Sequence, residues 1–322
     1  MTLAPVPGDP PAPALLARLS FTDLALEAEV ERCRYKRLAD SIDLLPLPPA
    51  LWPEVQALYR HLHDLPHTRA RVTWPLAGSP TVRLRMQRRE TSYGPVFIVR
   101  RIDHVIRALD QIGLSPEIIR RLREPTLRSG LVLFCGGPGA GKTTTACALL
   151  KDRLERIGGF TWTAENPVEY DLQGPHGKGQ CYQEEVEDDQ DIYRVFADTL
   201  RSAANTFYIG EIRESEGARA ACLAAASGML VVSTLHADDP QQALMKLGML
   251  AGFPAIAQGL KVLISLRIDH RPGPNGLERV LKTQPFFVTE EAQRMKIRDG
   301  NLTALVVDLE KQANALQMGR AL

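Results

Sequence analysis

One eight-residue segment constrains this chain more than any other. Residues 136–143 read G-G-P-G-A-G-K-T and fit the pattern G-x-x-x-x-G-K-[ST], a glycine-rich loop between a strand and a helix. The apolar run 131–135 precedes the loop, and an amphipathic helix is predicted from Lys142 onward, so the motif has the context that it requires. The segment therefore predicts an α/β domain with a phosphate-binding loop.

The residue types of this loop suit a nucleotide with Mg²⁺. Glycines let backbone N–H groups curl around phosphate oxygens, and the start of the helix adds the positive end of its dipole. Lys142 is predicted to reach the β- and γ-phosphates, and Thr143 to bind Mg²⁺. The predicted nucleotide-binding residues are Gly136, Gly137, Pro138, Gly139, Ala140, Gly141, Lys142, Thr143 and Thr144.

Two carboxylates follow predicted strands and are candidates for hydrolysis. Glu211 closes the strand 207–209, where a carboxylate can hold the Mg²⁺ shell or the attacking water. An ordinary solvated glutamate is the alternative at this position. Glu165 follows the strand 160–164 in the segment E-N-P-V-E, which the Asn-Pro pair equally allows to be a simple turn.

The chain length and its patterns predict two domains. A length of 322 residues suits about two domains of roughly 100–200 residues. A helix over 50–63 and a hairpin over 82–102, with its turn at 88–94, predict a small α+β domain at 1–105. Strands and helices then alternate up to residue 234, which predicts a parallel sheet at 106–322, and mainly helix is predicted after Gly252.

Composition and charge limit the partners. The chain has 39 basic and 38 acidic side chains and a net charge of +1, so no direct nucleic-acid binding is predicted. Residues 1–20 lack a basic start and a long apolar run, and no segment approaches the roughly 18 apolar residues of a membrane span. The five cysteines include no C-x-x-C pair and are expected to be reduced thiols. These features predict a cytoplasmic protein that can dock on a membrane complex.

Four blocks in fixed order resemble one family. They read G-G-P-G-A-G-K-T-T-T, T-A-E-N-P-V-E-Y, Y-I-G-E-I-R-E and V-V-S-T-L-H-A-D-D. These blocks are similar to the Walker A, aspartate box, Walker B and histidine box of the ATPase superfamily of type II and type IV secretion systems and type IV pili. The resemblance runs from about residue 83 to about residue 281. It implies a RecA-like P-loop domain preceded by a smaller PAS-like α+β domain, and a homo-oligomer, a ring of six, with ATP between the two domains.

The resemblance also assigns roles to residues. Glu211 resembles the Walker B glutamate, and His236 resembles the histidine-box sensor. Glu165 resembles the aspartate-box glutamate that positions or activates water, with Glu169 supporting the box.

Family members send arginines from the N-terminal domain to the phosphates. Arg85 and Arg100 align with these arginines through Gly94, although Arg83, Arg88 and Arg101 are neighbouring alternatives.

The implied catalytic residues are Glu211, Glu165, Lys142, Arg100, Arg85 and His236. Thr143 and Glu211 are the implied metal residues, with ATP and Mg²⁺ as cofactors.

The sequence departs from the family pattern at several places. Asn166 replaces the usual aspartate, Met229 replaces a histidine, and residues 200–205 keep the arginine of an L-R-Q-D-P-D stretch but not its Q-D-P-D. Since Lys142, Thr143, Glu165 and Glu211 remain, we expect hydrolysis to survive, with effects on subunit contacts or coupling. The short chain lacks the zinc-binding cysteine cluster of some members and the A-I-R-N-L-I-R-E signature of retraction ATPases. A conjugative or type IVB system is therefore favoured.

Three hypotheses for function follow. The first is a hexameric ATPase motor of a pilus, conjugation or secretion machine, peripheral to the inner membrane through a platform or coupling protein. The second is a P-loop kinase or GTPase, against which the second carboxylate box and S-T-L-H argue. The third is a divergent ATP-binding ring subunit with a regulatory rather than hydrolytic role. The acidic segment 184–191 is predicted to be a solvated loop and helix start.

Overall fold

The computed structural model describes residues 15–37, 42–75, 81–102, 105–273 and 276–319. The chain divides into two compact units, residues 1–104 and 105–322. Most of the leading segment in which no secretory signal is predicted, residues 1–14, lies outside the described residues. Within the described part of the chain, no helix has both the length and the apolar character that crossing a bilayer requires.

The N-terminal unit is an antiparallel sheet with a helix packed against it. Its strands are β1 (Asp23–Leu26), β2 (Arg34–Lys36), β3 (Leu45–Pro46), β4 (Arg69–Trp74), β5 (Val82–Thr91) and β6 (Gly94–Ile102). Its helices are α1 (Leu15–Arg18) and α2 (Trp52–His63), with 3-10 turns at Val30–Arg32 and Pro49–Leu51. The strand order is β3-β2-β1-β6-β5-β4. This unit therefore has the α+β composition that the sequence predicts.

Period-two alternation explains the hairpin of this unit. Val82, Leu84 and Met86 are buried on one face of β5, so the residues between them lie on the other face. The ladder continues to the pair Thr91↔Gly94, which leaves only residues 92–93 as the turn. The predicted turn at 88–94 was therefore too long. The Thr91 hydroxyl closes the turn by donating to the Gly94 carbonyl at 2.7 Å.

The C-terminal unit contains the remaining elements. Its strands are β7 (Gly130–Cys135), β8 (Gly159–Glu165), β9 (Gly174–His176), β10 (Gly179–Glu185), β11 (Thr206–Ile212), β12 (Leu230–Leu235), β13 (Leu260–Gly273) and β14 (Gly276–Phe287). Its helices are α3 (Pro116–Leu122), α4 (Lys142–Arg156), α5 (Asp189–Thr199), α6 (Ser215–Ala226), α7 (Pro240–Ala251), α8 (Phe253–Gly259), α9 (Glu291–Arg298) and α10 (Val306–Gln317). Two 3-10 turns lie at Leu109–Gln111 and Thr303–Leu305.

The sheet of this unit has the order β14-β13-β7-β12-β11-β8-β10-β9. The strands from β13 to β10 pair in parallel, whereas β14 and β9 pair antiparallel at the two edges. All six residues of β7 are buried, as expected for a central parallel strand with both faces covered. Leu133 belongs to the core shared with α6 and α7, and Phe134 to the core shared with α4. The α/β sheet predicted from the loop motif is confirmed.

The prediction of mainly helix after Gly252 is wrong for residues 260–287. This stretch is the hairpin of β13 and β14, with helix only before and after it. Leu260, Val262, Leu263, Ile264 and Leu266 are all buried, because β13 pairs in parallel with the central strand β7. A short apolar run of this kind has the same periodicity in a buried strand as in a buried helix, and so the pattern was ambiguous.

All five cysteines are buried free thiols, and we expect them to react slowly in the native chain. Burial raises the pKa of Cys135 and Cys181 to about 12, that of Cys222 to about 11, and those of Cys33 and Cys147 above 9.0. At pH 8, each unit by which the pKa rises lowers the fraction of reactive thiolate about tenfold. Labelling by a maleimide, followed by intact mass, should be slow in buffer and complete in denaturant. Fast labelling of one thiol in buffer would contradict this burial.

Candidate nucleotide site

The glycine-rich loop joins the end of β7 at Cys135 to the start of α4 at Lys142. A Cβ atom on Gly136 would overlap the Leu266 carbonyl oxygen of β13, so the loop passes too close to that strand for any side chain. Gly139 and Gly141 have φ values of +73° and +88°, in the left-handed region that glycine adopts without strain. Gly136, Gly139 and Gly141 are therefore favoured by the backbone path itself.

Lys142 lies inside this loop and is only 7% exposed. Its Nζ donates to the carbonyls of Gly136 and Gly137, both at 2.9 Å, and lies 3.1 Å from Nδ1 of His236. Burial lowers the pKa of the Lys142 ammonium, and the negative charge of Glu211 opposes that shift. An ammonium group has only donors, so Nδ1 accepts from protonated Lys142, and a neutral His236 then carries its proton on Nε2.

Glu211 lies on β11 with its two carboxylate oxygens in different surroundings. Oε2 accepts from Nε of Arg213 at 2.7 Å. Oε1 lies 2.8 Å from Nε2 of His236, but this contact lacks the direction of a hydrogen bond, and Oε1 is buried without a hydrogen-bond partner among the described residues. The His236 contact is therefore electrostatic and not a hydrogen bond. A buried, unpaired carboxylate oxygen is costly unless a ligand completes it.

The two predicted metal residues fit Mg²⁺ chemically. The Thr143 hydroxyl, in the first turn of α4, has no hydrogen-bond partner in the described part of the chain, in contrast to Thr144, whose hydroxyl lies 2.7 Å from that of Tyr170. The unpaired Oε1 of Glu211 is the second available oxygen. Mg²⁺ prefers such oxygen ligands, together with phosphates and water. Thr143 and Glu211 can therefore hold the ion directly or through its water shell.

Glu165 ends β8 and is fixed by its neighbours. It is 1% exposed, and its Oε1 accepts from the Thr163 hydroxyl at 2.7 Å and from Nε2 of Gln183 at 2.8 Å. A Cβ atom on Gly210 of β11 would lie 3.3 Å from Cγ of Glu165. The absence of a side chain at Gly210 therefore lets Glu165 pack directly against β11, one residue before Glu211.

Gln183, which no sequence motif marks, supports Glu165 of the aspartate box. Besides Glu165, its side chain bonds the Tyr170 carbonyl at 3.0 Å and the Leu172 amide at 2.7 Å. It thereby connects the box glutamate to the loop that follows. Its strand β10 was not predicted, so the register that places Gln183 beside Thr163 was the missing signal.

The segment after Glu165 connects the site to the acidic segment. Nδ2 of Asn166 donates to the Glu187 carbonyl at 2.7 Å, a bond that an ionised aspartate could not make. Glu169 is exposed, whereas Tyr170 contacts Thr144. Asp188 caps α5 by accepting from the amides of Gln190 and Asp191, as expected for a solvated helix start.

The predicted arginines lie in the N-terminal unit. Arg85 and Arg100 are direct partners on β5 and β6, and Nε of Arg100 contacts Oδ1 of Asp23 at 2.7 Å. Of the alternatives, Arg101 packs over Phe21, and Arg88 pairs with a glutamate two residues later. In the C-terminal unit, the structure brings Lys142, Glu211 and His236 together, with Glu165 on the strand next to that of Glu211.

This arrangement defines a class of protein. The loop and the two glutamates lie at the carboxyl ends of parallel strands, where open α/β sheets bind their ligands. A glycine-rich cradle at a helix start, with a buried lysine and a nearby carboxylate, is the site of a P-loop nucleotide-binding protein.

The family follows from comparison with known proteins. A family model described as "Type II/IV secretion system protein" matches residues 65–300, and the chain therefore belongs to that family. The resemblance inferred from the four sequence blocks is thus confirmed.

Curated relatives are similar over part of their length. The type IV pilus ATPase PilU of Pseudomonas aeruginosa is 32% identical over 196 residues, which cover 58% of this chain and 50% of PilU. The type II secretion system protein E of Klebsiella pneumoniae is 32% identical over 227 residues, covering 69% of this chain and 44% of that protein. The matched region thus spans about half of these relatives or less.

Solved structures share the fold. The pilus retraction motor PilT with bound ADP has a TM-score of 0.71 at 21% identity, covering 93% of this chain and 88% of that one. The Legionella pneumophila ATPase DotB has a TM-score of 0.70 at 16% identity, covering 95% and 90%. The predicted fold class, a RecA-like P-loop domain preceded by a smaller PAS-like domain, is confirmed.

Proposed function

We propose that this chain is a subunit of a motor that hydrolyses ATP to drive a type IV pilus, conjugative or type II/IV secretion machine. The observation that carries the proposal is the chain of contacts from Lys142 through His236 to Glu211 beside the glycine-rich loop. It joins the residue suited to bind phosphate to a carboxylate with one unpaired, buried oxygen. Phosphate that contacts Lys142 can thereby affect Glu211, the carboxylate that serves hydrolysis in this proposal.

Each residue of the site has a distinct task in this proposal. Loop amides and Lys142 hold the phosphates, and Thr143 and Glu211 hold Mg²⁺, which neutralises charge on the β- and γ-phosphates when bound. Glu165, held by Thr163 and Gln183, orients or activates the attacking water. Nδ1 of His236 lies against Lys142, so phosphate that draws Lys142 away changes the histidine's surroundings.

Assembly and location are part of the proposal. We infer a homo-oligomer, a hexameric ring, in which the guanidinium groups of Arg85 and Arg100 bind phosphates and neutralise their charge. The ring is cytoplasmic and peripheral to the inner membrane through a platform or coupling protein, and a conjugative or type IVB machine is favoured. Relatives named as a pilus ATPase and a type II secretion protein support this proposal. The near-zero net charge supports the absence of direct nucleic-acid binding.

A second candidate is an ATP-binding ring subunit that regulates without hydrolysis. The observation that favours it is Asn166, which stands in the place of the family's aspartate and holds the Glu187 carbonyl. The box then offers one carboxylate fewer for orienting water. This candidate and the motor differ in turnover, not in nucleotide binding.

Turnover per subunit is expected to rise with protein concentration if the motor requires an assembled ring. ATP hydrolysis should be measured across dilutions of the full chain, with mass photometry on the same samples to follow assembly. Steady turnover per subunit from monomer to ring would contradict the assembled motor. ATP binding without turnover at any concentration would favour the regulatory ring subunit.

A further inference from the structure

The backbone ladder of β11 is interrupted just before the candidate carboxylate. β11 and β12 pair in register from Thr206↔Leu230 to Ile209↔Ser233, and the register shifts before Ile212↔Leu235. Gly210 and Glu211 fall inside this interruption, which is a β-bulge or similar irregularity. Bulges redirect side chains by breaking regular pairing, so ladder bonds alone do not fix the direction of Glu211.

Buried hydroxyls of β12 bridge to β11 at this interruption, and the Ser233 hydroxyl donates to the Ile209 carbonyl at 2.8 Å. Thr234 of β12 is 2% exposed, and its hydroxyl donates to the Gly210 carbonyl at 2.7 Å. The Tyr208 hydroxyl also donates to this carbonyl, at a longer 3.5 Å. Thr234 therefore gives the residue immediately before Glu211 a partner on β12 where the strand pairing is irregular.

We propose that Thr234 is a positioning residue for Glu211, an inference that rests on the proposed hydrolysis. By holding the Gly210 carbonyl, Thr234 fixes the peptide from which Glu211 projects toward the loop. Thr234 acts only through this peptide and contacts no reacting group in this scheme. It is two residues before His236, so β12 supplies the backbone anchor, and the residue that follows its end is the histidine beside Glu211.

The surroundings of Glu211 explain why a backbone anchor matters. At the carboxylate itself, the described partners are Arg213, which is 51% exposed, and the poorly aligned His236 contact. An exposed ion pair orders its partners only weakly. Gly210 has no side chain whose packing could fix the backbone at this point of β11. The bond from the buried Thr234 hydroxyl is thus the shorter of the two described side-chain hydrogen bonds to the carbonyl of this peptide.

Three substitutions test the inference. Thr234→Val removes the hydroxyl at nearly constant volume, and Thr234→Ser restores it. Thr199→Val is the matched control, because Thr199 is 1% exposed and donates to the Val195 carbonyl at 2.7 Å, within α5. For each full-length variant, kcat, the ATP dissociation constant, the Mg²⁺ concentration for half-maximal rate and Tm are measured.

We expect Thr234→Val to lower kcat by about 10- to 100-fold, since small displacements of a reacting group cost this much. It should also raise the Mg²⁺ requirement, while the ATP dissociation constant stays near the wild-type value. Thr234→Ser should recover both properties. Thr199→Val should change Tm alone.

Two results would overturn the inference while the proposed function stands. The first is a wild type that turns over ATP together with a Thr234→Val variant that matches its kcat and Mg²⁺ requirement. The second is a Thr234→Val variant whose only change is a Tm shift like that of Thr199→Val. A wild type that binds ATP without turnover would instead overturn the proposed function, and the inference with it.

Discussion

Replacing Glu211 by glutamine is expected to lower ATP turnover by about 10²- to 10⁴-fold, because the Mg²⁺ that it is proposed to hold stabilises the transition state by several kcal/mol. The amide keeps the shape of the side chain but loses the charge that Arg213 and His236 contact. Because the loop amides and Lys142 remain, nucleotide binding should stay close to that of the wild type. Turnover should be measured by phosphate release, and binding by a fluorescent ATP analogue.

Glu216→Gln is the matched control for this experiment. Glu216 is exposed in the first turn of α6, so the same loss of charge nearby should leave turnover unchanged. If Glu211→Gln retains wild-type turnover, Glu211 does not hold the Mg²⁺ that hydrolysis needs. Glu165→Gln, which changes the carboxylate proposed to orient or activate water, would then be expected to carry the loss.

Replacing Lys142 by methionine is expected to weaken ATP binding by roughly 10²- to 10⁴-fold. The lysine should make about two charge-assisted bonds to phosphate, each contributing about 1.5–3 kcal/mol. Methionine retains most of the buried stem, so the change tests the charge rather than the packing. Binding is measured by calorimetry with a non-hydrolysable ATP analogue.

The unliganded Lys142→Met chain should be nearly as stable as the wild type. Since the folded pKa of Lys142 is lowered, its protonated form is favoured less in the folded chain than in the unfolded one. That charge therefore costs stability in full below the folded pKa; the cost shrinks as pH rises above the folded pKa and is gone only above the unfolded pKa. Lys151→Met, on the same helix and one-third exposed, is the control and should bind ATP normally. Equal binding by both variants would contradict the assigned role of Lys142.

The sequence predicted which of these side chains lie together better than it predicted the sheet around them. Lys142, Glu211 and His236 stand in short motifs whose chemistry is local, and the structure brings them together. Gln183 and Thr234 have no motif of their own. Their contacts depend on which strands are neighbours and in what register, and neither can be read from periodicity in a single chain.

The same limit explains the misassigned hairpin of β13 and β14. Its first half is apolar almost without interruption because it lies against the central strand, and such a run carries no alternation. The N-terminal hairpin, in contrast, alternates clearly because only one face of β5 is buried, and it was found. Burial on both faces thus removes the signal that identifies a strand.

The position of β7 also determines when the cradle can form during synthesis. β7 pairs with β12 through Leu131↔Val231 and with β13 through Val132↔Val262, so both of its neighbours are made much later than β7 itself. Contacts so distant in sequence must wait for the closure of long loops, which slows folding. A nascent chain that ends before Leu260 lacks the strand against which Gly136 packs. Nucleotide can therefore aid folding only in its last stage, after most of the C-terminal unit has left the ribosome.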